Sequence, residues 1–187
     1  MADLASGSDR ELVDRFRSGD REAFGLLYRA HYPAVFRFAW HMTGDRMRAV
    51  EITQDAFVWL IRHPGDFDSE RGTLPAFLGG VARKMLLRQR QEGMRWTPLE
   101  EARLRTADPL VDLTRAQDAA FLRQAIGSLP QRYREPVVLC DLEGRSYEEA
   151  AAILECAVGT VRSRLHRARA LLARKLQWKR EGQRCAV

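Results

Sequence analysis

SYEEAAAIL (146–154), the three-residue break ECA (155–157) and then VGTVRSRLHRARALLARKL (158–176) decide the fold of this chain. Ser146 and Glu149 stand three apart, the spacing of a capping box that opens a helix. Tyr147, Ala150, Ala151 and Leu154 follow at i, i+3, i+4 and i+7, so one face of this short helix is apolar. After a turn of about three residues, a second helix carries Val161, Leu165, Ala168 and Leu172 as its buried stripe. Two helices joined in this way form a helix-turn-helix, and the alanines of the first helix allow the close crossing that the unit needs.

The rest of the second helix is basic. Residues 158–180 hold eight Lys/Arg and no Asp or Glu, an electrostatic footprint for phosphate. Arg162, His166 and Arg169 recur at i, i+4 and i+7 on a face away from the apolar stripe, with Ser163 and Arg167 beside them. Arginine can donate two hydrogen bonds to guanine in the major groove, and residues near the start of a recognition helix reach furthest toward the bases. Arg162, Ser163, His166 and Arg167 are therefore expected at bases or adjacent phosphates. Thr160, Arg164 and Arg169 are expected to clamp phosphates.

Outward from this unit the chain reads as helices throughout. Ser8 to Glu11 has capping-box spacing, with Leu12, Val13 and Phe16 behind it. Asp20 is placed to cap a second helix, kinked at Pro33 and stopped by Gly44. Asp45 caps a third, which ends at about Arg62 before His63-Pro64-Gly65. Residues 63–72 form a polar loop. Thr73 then caps a helix with Pro75 in its first turn and Gly79-Gly80 in its middle. Each of these glycines costs about 1 kcal/mol against alanine, which points to close approach of a neighbouring helix. This helix is basic, with Arg83, Lys84, Arg88, Arg90 and Arg95 against Glu92 alone, and such a helix can hold a nucleic-acid backbone. Residues 91–115 lose periodicity and read as a linker. A second helical block follows, broken at 127–130, 143–145 and 155–157. Trp40, Phe57 and Trp59 fall in helical patterns and read as core.

Composition agrees with an all-α chain of two small domains. The chain has 187 residues, 45% hydrophobic and 30% charged, enough to build real cores. The net charge of +6 and a pI near 9.7 favour a polyanionic partner. There is no apolar run long enough for a membrane span and no secretory signal pattern. Three cysteines, Cys140, Cys156 and Cys185, make no disulfide framework, and a cytoplasmic location fits. The four histidines lie far apart, with no phosphate-binding GxxxxGK[ST] loop, no HExxH pair and no metal-ligand grouping, so neither an enzyme nor a cofactor is expected.

Residues 145–176, RSYEEAAAILECAVGTVRSRLHRARALLARKL, resemble the promoter −35-reading end of bacterial sigma factors of the sigma-70 family. Residues 159–169, GTVRSRLHRAR, are the most specific part. LPQRYREPVVLCDLEG (129–144) resembles the supporting helix of the same domain. DRELVDRFRSGDREAFGLLYRAHYPAVFRFAWHMTGD, starting at Asp9, resembles the start of sigma domain two. AVEITQDAFVWL (49–60) is similar to its polymerase-binding helix, and GTLPAFLGGVARKMLLRQR (72–90) to its melting and −10-reading segment. Two domains with only a linker between them are the plan of the extracytoplasmic-function (ECF) group. The resemblance implies sigma domain two over 1–92, a linker over 93–115, the helix-turn-helix sigma domain four over 116–178 and a basic tail over 179–187.

The resemblance further implies roles. Domain four would read the −35 element as duplex. Arg48, Glu51, Gln54, Asp55 and Arg62 on the third helix would dock the β′ clamp helices of core RNA polymerase, and the β flap would be a further polymerase contact. Val50 stands where the family usually has an acid. Phe67, Asp68 and Ser69 in the 63–72 loop would line a pocket for a base flipped from the −10 element, with Arg83, Lys84, Arg88 and Arg90 on the strand backbone. Phe77 stands where tryptophan is common, and Lys84 where asparagine is frequent. An anti-sigma factor that masks these faces would complete the partners. The alternative reading is a stand-alone helix-turn-helix regulator, which would bind free operator DNA, often as a dimer on a palindrome.

Overall fold

The computed structural model describes residues 2–91 and 113–184, with side chains over 9–91 and 119–177. Most of the linker, Trp96, Arg95 and Cys185 lie outside the described residues. Among the described residues all regular structure is helical: α1 (Ala2–Arg17), α2 (Arg21–Thr43), α3 (Arg46–Arg62), α4 (Leu74–Gln91), α5 (Leu113–Gly127), α6 (Gln131–Pro136), α7 (Tyr147–Leu154) and α8 (Val158–Arg184). A 3-10 turn, Pro64–Asp66, follows α3, and α6 runs on into a π-helical stretch, Val137–Leu142.

Helix ends follow local chemistry. Asp20 accepts from the Glu22 and Ala23 amides, and Asp45 from those of Met47 and Arg48, so each satisfies two donors that a helix start leaves open. Gly44 closes α2 in the left-handed region at φ 71°, its N–H donating to the Trp40 carbonyl. Pro33 is contained within α2, which continues through it. The Ser146 hydroxyl accepts from the Glu149 amide while the Glu149 carboxylate accepts from the Ser146 amide, the reciprocal cap expected of the pair.

Two boundaries differ from the sequence reading. Helix α1 begins upstream and passes through Ser8, so Ser8 is interior rather than a cap. The acid beside it, Asp9, turns inward to His31 Nε2 of α2 at 2.9 Å. At the other end α8 continues to Arg184 instead of stopping near Trp178.

The N-terminal half packs α1, α2, α3 and α4 around Leu27, Phe38, Met42, Ile52, Phe57, Leu60, Leu78 and Leu86, all nearly fully buried. Phe24 meets Phe57 edge-on at 6.3 Å, a favoured aromatic geometry. In the C-terminal half Val161, Leu165, Ala168 and Leu172 of α8 are buried as their spacing requires, against α5, α6 and α7. Trp59 is a correction: 41% exposed, it lies outside the core, with its indole N–H donated to Asp66 and its ring tilted over His63.

The two halves are packed on each other, chiefly through α4 and α7, and their buried side chains form one continuous cluster. Gly79 of α4 makes this possible. A Cβ there would lie 3.2 Å from Ile153 Cδ1 of α7, inside ordinary contact distance. Close approach by a neighbouring helix is thus the reason for Gly79, although open space surrounds Gly80.

Candidate nucleic-acid and polymerase interfaces

The candidate recognition helix, α8, is presented by the packing just described. Its apolar stripe faces α5 to α7, which turns Arg162, Ser163, His166, Arg167 and Arg169 outward, all exposed. Thr160 and Arg164 are half-buried at the edges of this face. The Thr160 amide is bonded to the Ala157 carbonyl, and the Ser163 hydroxyl donates to the Thr160 carbonyl at 3.0 Å, which leaves the Ser163 oxygen free to accept. Arg162 lies over the Tyr147 ring at 5.9 Å, and so the first helix of the motif supports an arginine of the second.

Two neighbours restrain this face. Arg169 donates to both Asp141 oxygens, at 2.6 and 3.2 Å. This hydrogen-bonded pairing holds the Arg169 guanidinium well above its ordinary pKa, with a further contribution from Tyr147. The Tyr133 hydroxyl is pulled below the usual phenol range, first by its hydrogen bond with Arg167. Arg162, Arg164 and Arg167 have no ion pair among the described residues, whereas Arg169 is already neutralised.

On α4 the basic residues divide. Arg88 and Arg90 are exposed, and Arg90 donates to Gln131. Arg83 is largely buried and donates to Glu135 at 3.1 Å. Lys84 pairs with Glu155 at 2.8 Å, and this lysine, first of all through its hydrogen bond, keeps the Glu155 carboxyl below its ordinary range. Both acids belong to the C-terminal half.

The 63–72 loop is braced from α1. The Arg17 guanidinium donates to the Pro64 and Phe67 carbonyls, and Arg10 pairs with Glu70 at 2.9 Å. Asp68 is exposed and accepts from the Glu70 amide, and Ser69 is half-buried. Phe67 is only 4% exposed and packs on Phe77 at 5.7 Å, so its ring supports the loop from beneath and is not offered at the surface.

On α3, Glu51, Gln54, Asp55 and Arg62 are exposed and Arg48 is half-buried. Exposed apolar side chains accompany them: Met47 at 70%, Val58 at 37% and Ile61 at 46%. These were missed from sequence, yet Met47, Glu51, Gln54, Val58 and Ile61 stand at i, i+4, i+7, i+11 and i+14, one continuous helical face. Apolar residues left outside the core at helical spacing were the available signal.

Residues 27–95 match the family described as Sigma-70 region 2, and residues 122–172 match Sigma-70, region 4. The chain is 32% identical to the ECF RNA polymerase sigma-E factor of Escherichia coli over 91% of its own length and 95% of the relative's. The chain belongs to the sigma-70 family, in its ECF group. The first matched stretch begins in α2 and takes in α3 and α4; the second runs from α5 into α8. It is also 37% identical to the ECF sigma factor SigE of Mycolicibacterium smegmatis, over 81% of its length but only 62% of that longer relative. Among solved structures, CnrH in complex with the cytosolic domain of CnrY is similar at a TM-score of 0.71 and 28% identity, covering 91% of this chain and 97% of that one. The sigma factor RpoE of Bartonella quintana, solved with the anti-sigma factor NepR, is similar at 0.67 and 25%, covering 82% and 96%. No helix among the described residues is long and apolar enough to cross a membrane.

Proposed function

We propose that this ECF sigma factor binds core RNA polymerase in the cytoplasm and directs it to promoters through two separate faces. The exposed basic face of α8, on a helix-turn-helix whose cap and core are complete, carries the reading. Arg162, Ser163, His166 and Arg167 read the −35 duplex, and Thr160 and Arg164 hold its phosphates, with Arg169 beside them and paired to Asp141. On α3, Arg48, Glu51, Gln54, Asp55 and Arg62 dock the β′ clamp helices, with Met47, Val58 and Ile61 as apolar anchors of the kind that concentrate binding energy at interfaces. Arg83, Lys84, Arg88 and Arg90 follow the −10 strand, and Asp68 and Ser69 offer polar groups to a base flipped from it, on a loop supported by Phe67. The protein acts by binding and positioning, and the covalent chemistry is the polymerase's. Domain two ends near residue 92 and domain four spans about 116–178, with the linker passing through the polymerase.

The stand-alone regulator reading gives no use to an α3 surface of this kind, and family membership runs against it. By likeness to the RpoE–NepR complex, an anti-sigma factor is the expected regulator.

The deciding experiment is transcription with purified core polymerase on templates with randomised −35 and −10 elements. Start-specific RNA that requires the protein and is lost with Arg162→Ala/Arg167→Ala supports the reading. Absence of core binding, together with tight sequence-specific binding to free duplex, overturns it.

A further inference from the structure

Three arginines on the open face of α8 are each steadied by a side chain from a different element. Arg162 lies over the Tyr147 ring of α7 at 5.9 Å, Arg169 donates to Asp141 in the π-helical stretch, and Arg167 is hydrogen-bonded to the Tyr133 hydroxyl of α6, which packs against α8. The last two supports differ in charge. Asp141 neutralises the arginine it holds, whereas a neutral phenol accepts a hydrogen bond and leaves the full positive charge to a partner. An arginine has more N–H donors than a two-pronged contact with guanine uses, so Arg167 can keep Tyr133 and read a base at the same time. Tyr133 itself is well held. Its amide donates to the Pro130 carbonyl at 2.9 Å, and the next residue, Arg134, donates from its guanidinium to the Gly127 and Leu129 carbonyls, which ties the first turn of α6 to the end of α5. The Arg132 guanidinium covers the ring at 4.9 Å from its centroid, a cation–π contact that fixes the ring plane. The half-buried ring is thus held by its backbone and by one face, and its hydroxyl end meets Arg167.

We propose that Tyr133 is a specificity-positioning residue for the −35 contact: its hydroxyl aims the Arg167 guanidinium at a base edge, and α6 thereby joins α7 and α8 in building the recognition face. The inference rests on the reading of Arg167 as a base contact. Without the hydroxyl, Arg167 is a long exposed side chain free to move among rotamers, and ordering it on DNA costs free energy. It would then meet phosphates of any sequence as readily as one base. With the hydroxyl, part of that ordering is complete before DNA arrives, and the planar fork is delivered in one orientation to the O6 and N7 acceptors of a guanine. The gain lies in discrimination between bases and not in charge, because tyrosine adds none.

The test is a double-mutant cycle on the full chain. Competition fluorescence anisotropy gives the affinity for a duplex selected from a randomised −35 library and for duplexes with each of its base pairs changed singly. The proteins are the parent, Tyr133→Phe, Arg167→Ala and the double variant, with thermal unfolding alongside. Phenylalanine keeps the ring and its contact with Arg132 and removes only the hydroxyl. Arg167→Ala should abolish discrimination at one base pair. Tyr133→Phe should lower discrimination at that same base pair by about 3- to 10-fold, the size of one net hydrogen bond. The other positions and the salt dependence should not change, since no phosphate contact is lost. In the double variant Tyr133→Phe should add nothing to the loss from Arg167→Ala. A purely structural role would instead weaken all duplexes alike, and would do so in both backgrounds. Uniform weakening, a loss at a different base pair, or unchanged discrimination in Tyr133→Phe while Arg167→Ala loses it, overturns the positioning role alone. If Arg167→Ala leaves base preference intact, or the parent shows no preference among duplexes, Arg167 is not a base reader and the premise fails as well.

Discussion

Asp141→Asn should strengthen binding of this sigma factor to −35 duplex. Arg169 lies on the exposed face of α8 proposed to meet DNA, but its Nε and one terminal nitrogen are held by Asp141, at 3.2 and 2.6 Å. An arginine paired in this way brings no net charge to a phosphate. The asparagine is nearly isosteric and removes the negative charge, so Arg169 becomes available for one more phosphate. Each phosphate neutralised contributes about 0.9 to the slope of log K against log salt. One extra contact is then worth about 8-fold near 0.1 M salt and about 3-fold near 0.3 M. The cost to the fold is small, because the Arg169 side chain is 54% exposed and Asp141 30%, and pairs at such exposure contribute on the order of 0.2–1 kcal/mol. The assay is fluorescence anisotropy on a duplex carrying the selected −35 element, at several salt concentrations, with thermal unfolding alongside. Arg169→Ala alone should weaken binding, since it leaves the Asp141 charge bare beside the phosphates. The double variant should return to near the parent affinity. Weaker binding by Asp141→Asn with a flatter salt slope would refute the reasoning and show that Asp141 positions Arg169 for DNA instead of withholding it.

Other expectations follow from single features. Ser146→Ala removes one side of the reciprocal cap on α7 and should cost about 1 kcal/mol of stability, read by denaturant unfolding. His41 is held below its ordinary pKa, chiefly by burial, with Glu143 opposing and Arg123 and Arg37 reinforcing. Its neutral form is therefore the folded form: its contribution is complete above the unfolded value of about 6.5 and is lost as pH falls from there toward the lower folded value. His41→Gln should flatten that part of the stability–pH curve, measured between neutral and mildly acidic pH. Burial pushes the Cys140 thiol up to about 11, so in the native protein it should resist alkylation near pH 8 and react only on unfolding, followed by mass spectrometry. Met47→Asp or Ile61→Asp on α3 should weaken core-polymerase binding at least as much as Glu51→Ala, with thermal stability unchanged, because both side chains are exposed. Pull-down by core enzyme checks this.

What was legible in the sequence is what is encoded within about one helical turn. Asp20, Gly44, Asp45 and Ser146 end helices through contacts two to four residues away, and all four are seen where the local pattern puts them. The stripe Val161, Leu165, Ala168 and Leu172 is equally local, and it fixes by elimination which face of α8 is open. Ser8 shows the limit of such rules. Its spacing to Glu11 fits a cap, but the chain before it is already helical, and the neighbouring Asp9 is drawn to His31 across 22 positions. Phe67 and Trp59 exchange their expected places for a similar reason. The Arg17 contacts that hold the loop against α1 arise only once the helices are packed, and the Asp66 carboxylate that takes the Trp59 indole is brought round by the turn after α3.

The α4 residues carry this furthest. Their charge was readable, and so was their fitness for phosphate, but their partners lie beyond the linker: Glu135 is 52 positions from Arg83. A helix periodicity cannot report a carboxylate delivered by another domain. The one local trace was Gly79, an unfavourable residue in mid-helix with no turn to explain it. Its cost of about 1 kcal/mol makes sense only if something must come close, and what comes close is Ile153 of the half that matches Sigma-70 region 4. The same residue that weakens α4 as an isolated helix thus allows domain four to dock on it. A side chain larger than alanine at position 79 should loosen the contact between α4 and α7 without weakening α4 itself, and small-angle scattering should read this as a larger radius of gyration for Gly79→Leu, an unchanged radius refuting it.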